Sequence, residues 1–338
     1  MRIKSSIRNY RVFFKEDFND SLSDIYNDGD IIIIDSTVFS LYDLPKGVEY
    51  IKIEASEQAK SFDRLPPVLD FILSKGFNKR NKIIAIGGGI IQDISSFISS
   101  ILFRGVEWVF FPTTLLAQSD SCIGGKTSIN YKKYKNQLGN FNPPSEIIVC
   151  QSFLSTLTDI DIKSGLGEML HFFLVSGKED ANIYRKNYKN NIPKLTKRCL
   201  KIKKWFIERD EFDVSERLLL NYGHTFGHAI ENITDYKYPH GIAVSMGMDI
   251  SNFISMKRGY LSIEDYTELR ELILDVSGHM PEKNNIDDFI AALVRDKKNN
   301  KSGFINCVLT SGPGMMFLEN IDTYNIKKYL EEYYRGSN

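Results

Sequence analysis

One stretch limits the fold more than any other, Lys82 to Asp93, which reads KIIAIGGGIIQD. Its apolar start, Lys82 to Ile86, has the length and composition of a buried strand. Three glycines follow, then a segment of helical length from Ile91 to Phe103. Glycine lets the backbone turn sharply and come close to a ligand, and the free N–H groups of a helix N-terminus suit a pyrophosphate. The same pattern also serves as a bare tight turn, so by itself it names no ligand. A second apolar strand, Trp108 to Phe111, ends in Pro112-Thr113-Thr114. That puts two hydroxyls at the C-terminal end of a strand, where open α/β sheets bind ligands. Asp120, a glycine turn at Gly124-Gly125, Lys126, Lys135 and Asn136 come next. Cations and amides beside glycine turns together suit an anionic group.

The surrounding segments alternate. Asp30 to Asp35 and Val48 to Ile53 read as strands, and Ser36 to Lys46 between them carries turn residues with little periodicity. Val68 to Lys75, after Pro66-Pro67, reads as a helix, and Glu146 to Cys150 as a last strand. This rhythm predicts an α/β N-terminal Rossmann-like domain over residues 1–150, with a parallel sheet covered on both faces. From Gln151 the pattern becomes helical: Asp159 to Ser176, Ile192 to Asp210, Glu216 to Thr234, Ala243 to Arg258 and Ile263 to Val276. Gly177, Gly259 and Gly278 punctuate these helices as stops. Phe304 to Thr310 reads as an isolated strand or hairpin ending at Gly312-Pro313-Gly314. A mostly α-helical C-terminal domain is therefore expected over residues 151–338.

Composition excludes several classes. A chain of 338 residues suits two domains, at ~150 residues each. Lys+Arg 43 against Asp+Glu 43 leaves no net charge, which argues against nucleic acid or an anionic membrane as partner. Cys122, Cys150, Cys199 and Cys307 are widely spaced without a CxxC pair and read as reduced thiols. The N-terminus lacks an apolar signal core and no apolar run reaches the ~18 residues of a membrane span. A cytoplasmic enzyme or binding protein is expected.

The helical half holds a second constellation. Of five histidines, four gather with one carboxylate. Glu168 and His171 stand three apart, His224 and His228 stand four apart, and His240 follows at a break before the next helix. Residues three or four apart share a helix face, so each pair converges on one spot. A lone histidine is usually a hydrogen-bonded core or surface residue, but four of five in one cluster argue otherwise. Two or three His plus a Glu is the ligand set of a catalytic zinc, which keeps one position open for water or substrate. Spacing alone leaves open which of the five groups bind the metal.

An ordered set of motifs from about Asp35 to Thr310 resembles 3-dehydroquinate synthase, a sugar phosphate cyclase: SEQAK, GGGIIQD, FRGV, PTTLLAQSDSCIGGK, YKN, GEML, RLLLNYGHTFGHAIE, PHG and RDKK. The resemblance implies a dehydroquinate synthase-like fold, and NAD lying across Asp35, Glu57, Lys60, Gly88, Gly89, Asp93, Thr113, Thr114 and Lys135. Phe153 to Thr156 would close over it. It implies Glu168, His224 and His240 as ligands of Zn2+ or Co2+, with His228 left for substrate phosphate and proton transfer. Lys126, Asn136, Arg217, Lys297 and Lys298 would meet the phosphate of a small-molecule sugar phosphate, and Arg104 would reach in from the second subunit of a homodimer. Asp120, Lys203 and Asn221 would contact hydroxyls and carboxylate.

The implied reaction converts 3-deoxy-arabino-heptulosonate 7-phosphate to 3-dehydroquinate with loss of phosphate, as a step of the shikimate pathway. NAD is recycled within each turnover.

Three positions depart from the family pattern. His171 stands where the family has lysine, so it is expected to hydrogen-bond a substrate hydroxyl with altered pH dependence or substrate preference. Gln92 replaces a glycine and is expected to crowd the pyrophosphate. Ile242 stands where a carboxylate often follows PHG, so an outer partner for His240 is expected to be missing. Lys203, Arg217 and Asn221 match a carboxylate-bearing substrate, which favours dehydroquinate synthase. The alternatives are an aminodehydroquinate or deoxyinosose synthase and, more distantly, a metal-dependent polyol dehydrogenase.

Overall fold

Ile31 to Ile34 are all buried, and an apolar residue at every position marks a strand covered on both faces. They form the heart of the N-terminal half. The structure, a computed structural model, describes residues 1–132, 134–279, 285–295 and 303–335. The chain divides into two units, Met1–Thr158 and Asp159–Asn338.

The first unit runs β1 (Arg2–Ile3), β2 (Tyr10–Lys15), α1 (Phe18–Ile25), β3 (Ile31–Asp35), α2 (Ser36–Leu41), β4 (Glu49–Ile53), α3 (Leu65–Ser74) and β5 (Lys82–Gly87). It continues with α4 (Gly89–Ile101), β6 (Glu107–Pro112), β7 (Ile129–Tyr131), β8 (Tyr134–Leu138) and β9 (Glu146–Cys150). Among the described residues, one sheet has the order β1-β2-β9-β6-β5-β3-β4, parallel throughout except for the β1–β2 pair. From β3 the chain steps out to β4, then returns to β5 on the other side of β3 and moves the opposite way to β6. The loops leaving β3 and β5 therefore diverge between neighbouring strands, the switch point at which open α/β sheets bind ligands. Asp35 closes β3 and the glycine turn closes β5.

Local chemistry explains where the structure adds to the sequence reading. Ser36–Leu41 is a short helix, not a turn region, because Asp35 Oδ1 caps it by accepting from the Thr37 N–H at 2.8 Å. Helix α3 starts three residues earlier than Val68, with Pro66 and Pro67 in its first turn, where no N–H is needed. The N-terminal strand β2 and the hairpin β7–β8 lack the long apolar run that marks the central strands in the sequence. The short turn Gln151–Thr156 follows β9, and its Phe153 ring lies 5.0 Å from both Phe18 and Tyr42 in the core of this unit.

The second unit comprises α5 (Asp159–Ser176), α6 (Lys178–Asn187), α7 (Ile192–Ile207), α8 (His224–Ile233), α9 (His240–Lys257) and α10 (Ile263–Ser277). These precede α11 (Ile286–Arg295), the hairpin β10 (Phe304–Thr310) and β11 (Met316–Asp322), and α12 (Thr323–Arg335). The expected glycine stops all take left-handed or related backbone: Gly177 at φ 138, Gly259 at φ 74 and Gly278 at φ 70. Helix α9 is buried without interruption from Gly241 to Ser255, so it is the central helix around which the others pack. Its buried carboxylate has partners on two other helices. Asp249, fully buried, faces Arg270 Nη1 of α10 at 3.3 Å and accepts a hydrogen bond from the Tyr333 hydroxyl of α12. Burial pushes the Asp249 carboxyl up, against the pull of Arg270 and Tyr333.

Removing only the Tyr333 hydroxyl takes away one of the two partners of this buried carboxyl. Tyr333→Phe is expected to lower stability by about 1–3 kcal/mol, read as a lower urea midpoint at unchanged slope. An unchanged midpoint would show that α12 is held without this bond.

Candidate functional site

The histidine cluster is assembled inside the second unit. Glu168 and His171 sit one turn apart on α5, and both are buried. The segment read as one helix from Glu216 is broken at Gly223, whose φ of 79 starts α8 anew and sets His224 in its first turn. His240 opens α9. Glu168 Oε1 lies 3.6 Å from His224 Nε2, and Glu168 Oε2 lies 3.7 Å from His240 Nε2. The ring centroids of His224 lie 5.6 Å from those of His228 and 5.4 Å from those of His240. His171 Nδ1 stands 3.5 Å from Glu168 Oε1, with its ring 5.1 Å from His224.

The donors fit a divalent ion. Ligand bonds of about 2 Å at tetrahedral angles put neighbouring ligand atoms roughly 3.3 Å apart, close to the spacings observed. Among the described residues, Glu168, His224 and His240 form a group whose ligand atoms lie within 4.8 Å of one another, as do His228, Glu231 and His240. Glu168 Oε2 is buried without a hydrogen bond, a costly state for a carboxylate unless a cation answers it. The two imidazoles face the right way. His224 Nδ1 lies 3.3 Å from the Tyr222 carbonyl and His240 Nδ1 lies 3.2 Å from Glu231 Oε1, so each Nδ1–H has an acceptor and each Nε2 lone pair faces Glu168. Glu231 thus supplies the outer partner of His240 that Ile242 was expected to leave missing. Its signal was present in the motif: Glu231 stands seven residues after His224, on the same face of α8.

Cationic groups flank the cluster in sequence. Lys203, on α7, is buried with its Nζ 5.9 Å above the Phe172 ring. Arg217 is buried, and its Nη1 donates to the Glu211 carbonyl at 2.7 Å. The loop before it is organised by Asp210, which sequence reasoning passed over. Asp210 accepts from the N–H groups of Val214, Ser215 and Arg217 at 3.0, 2.7 and 3.0 Å. Burial works to raise its pKa, but these backbone donors outweigh it and hold the carboxyl below its ordinary value. Asn221 Nδ2 donates to the Leu218 carbonyl at 2.9 Å. Lys297 and Lys298 lie outside the described residues. A cavity of about 510 Å³ elsewhere on this unit, lined by Arg198, Lys201, Trp205 and Glu216 among others, contains none of the histidines. Its chemistry offers no ligand set, so the candidate site is assigned to the cluster.

In the first unit the glycine turn leaves the start of α4 without a side-chain cap, and a Cβ added at Gly89 would meet nothing within 4 Å. Open N–H groups at a helix start beside empty space fit a pyrophosphate. Gly88 is closed in by Thr114, whose Cγ2 would lie 3.1 Å from an added Cβ. Gln92 turns to Ser121 instead of crowding the pyrophosphate turn: its Nε2 donates to the Ser121 carbonyl and its Oε1 accepts from the Ser121 hydroxyl, both at 2.7 Å. That ties α4 to the helical turn Ala117–Ser121, which carries Asp120.

Lys60 and Asp93 meet each other at 2.9 Å, and Asp93 also accepts from the Ser128 N–H at 3.0 Å. Burial pushes the Asp93 carboxyl up against the pull of Lys60 and Ser128. Glu57 Oε1 accepts from Asn130 at 2.6 Å and lies 3.9 Å from Lys135 Nζ. Glu57 and Lys135 line an open cavity of about 540 Å³. Asn136 accepts from Ser128 Oγ at 2.9 Å. Thr113 bonds the Gly87 carbonyl through its N–H, Thr156 shares a 3.2 Å contact with the Tyr42 hydroxyl, and Lys126 and Arg104 are exposed. Arg104 has a left-handed φ of 62 next to Phe103 at φ 48.

Comparison with known proteins adds to this geometry. The pattern described as 3-dehydroquinate synthase N-terminal matches residues 50–164, and the pattern described as 3-dehydroquinate synthase C-terminal matches residues 162–299. A 3-dehydroquinate synthase of Dictyoglomus thermophilum is 32% identical over 98% of this chain and 97% of its own. A bifunctional 3-dehydroquinate synthase/phosphatase of Fusobacterium nucleatum is 35% identical over 85% of this chain, which spans 44% of that longer protein. Among solved structures, 2-deoxy-scyllo-inosose synthase complexed with carbaglucose-6-phosphate, NAD+ and Co2+ superimposes with a TM-score of 0.85 at 24% identity, covering 98% and 99% of the two chains. The 2-epi-5-epi-valiolone synthase of Streptomyces hygroscopicus, with NAD+ and Zn2+ bound, gives 0.82 at 26% identity over 96% of each chain. A probable glycerol dehydrogenase of Sinorhizobium meliloti is more distant, with a TM-score of 0.60 at 12% identity over 95% of each chain.

The Asp210 carboxylate gives a pH-dependent test of the Arg217 loop. A group with a depressed folded pKa contributes stability above its unfolded pKa and loses it as pH falls through the folded value. Asp210→Asn is therefore expected to melt below the wild type at pH 7, with the gap closing below about pH 4. A gap that stays constant across that window would assign Asp210 a purely steric role.

Proposed function

The chain belongs to the 3-dehydroquinate synthase family, and we propose that it converts 3-deoxy-arabino-heptulosonate 7-phosphate to 3-dehydroquinate and inorganic phosphate. The observation that carries the reading is the Glu168–His224–His240 cluster, with its orphaned buried carboxylate oxygen and its two oriented imidazoles. NAD and a divalent ion, Zn2+ or Co2+, are the cofactors. When bound, the nicotinamide takes and returns a hydride within one turnover, while the ion draws negative charge onto a substrate oxygen.

The chain's residues do the rest by position and charge. Glu168, His224 and His240 hold the ion; one carboxylate and two neutral imidazoles leave the bound site with net positive charge. Gly88 and Gly89 offer N–H groups to the pyrophosphate, with Asp35, Glu57, Thr113, Thr114, Lys135 and the Phe153–Thr156 segment as further contacts. The Phe153 ring itself is core, so contacts there come from backbone or from the less buried side chains of the segment, Thr156 among them. Lys60 and Asp93 act on the dinucleotide from a fixed pair, held by Ser128.

Lys203, Arg217 and Asn221 are proposed to bind the substrate carboxylate and hydroxyls, a task for which a guanidinium and an ammonium are suited. Arg217 also belongs, with Lys126, Asn136, Lys297 and Lys298, to the proposed phosphate contacts. Asp120 and His171 meet hydroxyls. His228, one turn along α8 from His224, takes the proton released as phosphate departs. Arg104, carried outward on strained backbone, supports a homodimer in which it reaches the second subunit's substrate. Among the described residues no helix is long and apolar enough to cross a membrane, and we place the enzyme in the cytoplasm beside other biosynthetic enzymes.

Purified protein given this substrate, catalytic NAD and zinc is expected to release phosphate steadily without accumulating NADH. Net NADH production would transfer the chain to the polyol dehydrogenases, and silence in protein holding both cofactors would point to another sugar phosphate. Arg217→Ala is expected to lose at least ~10²-fold in kcat/KM. Unchanged kinetics would remove Arg217 from the substrate contacts.

A further inference from the structure

His240 is the least enclosed of the three proposed ligands: its side chain is 34% exposed, against 13% for His224 and 2% for Glu168. It stands at the first residue of α9, where one side of the ring has no preceding helical turn to pack on. A neutral imidazole carries one N–H, and the proton's position decides which nitrogen can bind a metal. His224 is oriented by a backbone carbonyl, but His240 has Glu231 Oε1 at 3.2 Å from its Nδ1. Ile242, two residues on, is fully buried and apolar and can make no such bond.

Glu231 is itself well placed for this task. It lies in the last turn of α8 and is mostly enclosed, at 13% exposure. Its carbonyl accepts from the Tyr236 N–H at 2.8 Å, closing a turn in which Asp235 and Tyr236 adopt φ of 50 and 59. That strained turn brings the chain from Glu231 back to His240 within nine residues.

We propose that Glu231 is a positioning residue: its carboxylate holds the Nδ1–H tautomer of His240 and so aims Nε2 at the ion shared with Glu168 and His224. The inference rests on the metal-ligand assignment proposed above. The carboxylate also strengthens the imidazole as a donor, because an acceptor at Nδ1–H pushes electron density to Nε2. Glu231 touches neither substrate nor ion in this role.

The test reads metal binding apart from turnover. Metal-free wild type, Glu231→Gln and Glu231→Ala are titrated with Zn2+ and Co2+ against a competing chelator, and the visible spectrum of the Co2+ form is recorded. Glu231→Ala is expected to bind each ion 10–100-fold more weakly, with an altered cobalt spectrum and unchanged melting of the metal-free protein. Glu231→Gln, which keeps the acceptor and loses the charge, is expected to fall between, and it decides the matter if the alanine variant does not fold. Wild-type affinity and spectrum in both variants would overturn the proposal. So would two ions bound per wild-type chain, the second lost in both Glu231→Ala and His228→Ala, since Glu231 would then be a ligand. Glu168→Gln and His224→Ala serve as controls: undiminished binding in these would overturn the ligand assignment itself, whatever the Glu231 variants do.

Discussion

The second unit depends on backbone meeting backbone. A Cβ on Gly241 would lie 1.8 Å from the Ser164 carbonyl oxygen, and one on Gly167 would lie 2.3 Å from the Gly241 carbonyl oxygen. One on Gly247 would lie 2.0 Å from the Gly223 carbonyl oxygen. Helices α5 and α8 thus press on α9 more closely than any side chain permits. Glycine in a helix costs about 1 kcal/mol relative to alanine, and the close crossings repay it by placing Glu168, His224 and His240 within reach of one another. A side chain at any of these three glycines would push the helices apart and pull the carboxylate away from the imidazoles.

This proximity explains the polar character of the cluster. Glu168 and His171 are buried on a helix whose other inward residues are mostly apolar, and the Glu168 Oε2 is left without a hydrogen bond. Such an arrangement is unfavourable in a protein interior unless a cation joins it. Compare Asp249 on the neighbouring α9, equally buried, whose Oδ2 faces Arg270 and Tyr333. Each leaves one oxygen without a hydrogen bond, Oδ1 of Asp249 and Oε2 of Glu168. But Asp249 faces a guanidinium and a phenol from two other helices, whereas Glu168 faces the imidazole nitrogens of His171, His224 and His240. The kind of partner, not burial, is what separates the structural acid from the proposed ligand.

The first unit solves a different problem. Its polar side chains near the switch point are already engaged with one another, Lys60 with Asp93 and Gln92 with Ser121. What stays open is backbone, at Gly89 and the uncapped start of α4. A diphosphate needs only N–H groups and a helix start, so a rigid polar frame around an open backbone is an adequate receptor.

Much of this was legible in the residues. Isoleucine runs marked the central strands, and glycines at 177, 259 and 278 marked helix ends, because burial on two faces and left-handed backbone each demand particular residue types. The i, i+3 and i, i+4 spacings of Glu168–His171 and His224–His228 showed that each pair shares a face, because helix geometry is local. Strands β2, β7 and β8 were not legible, since short mixed-polarity strands form only when a neighbour supplies the pairing. Helix α6 escaped for a similar reason, burying only Asp180, Ala181 and Tyr184. Nor could spacing choose among the five candidate ligands or reveal the bond from Glu231 to His240. Those depend on how α5, α8 and α9 cross, and a crossing is set by contacts between residues far apart in the chain. Sequence alone determined which groups exist and which local faces they occupy; the tertiary structure alone decided which faces meet.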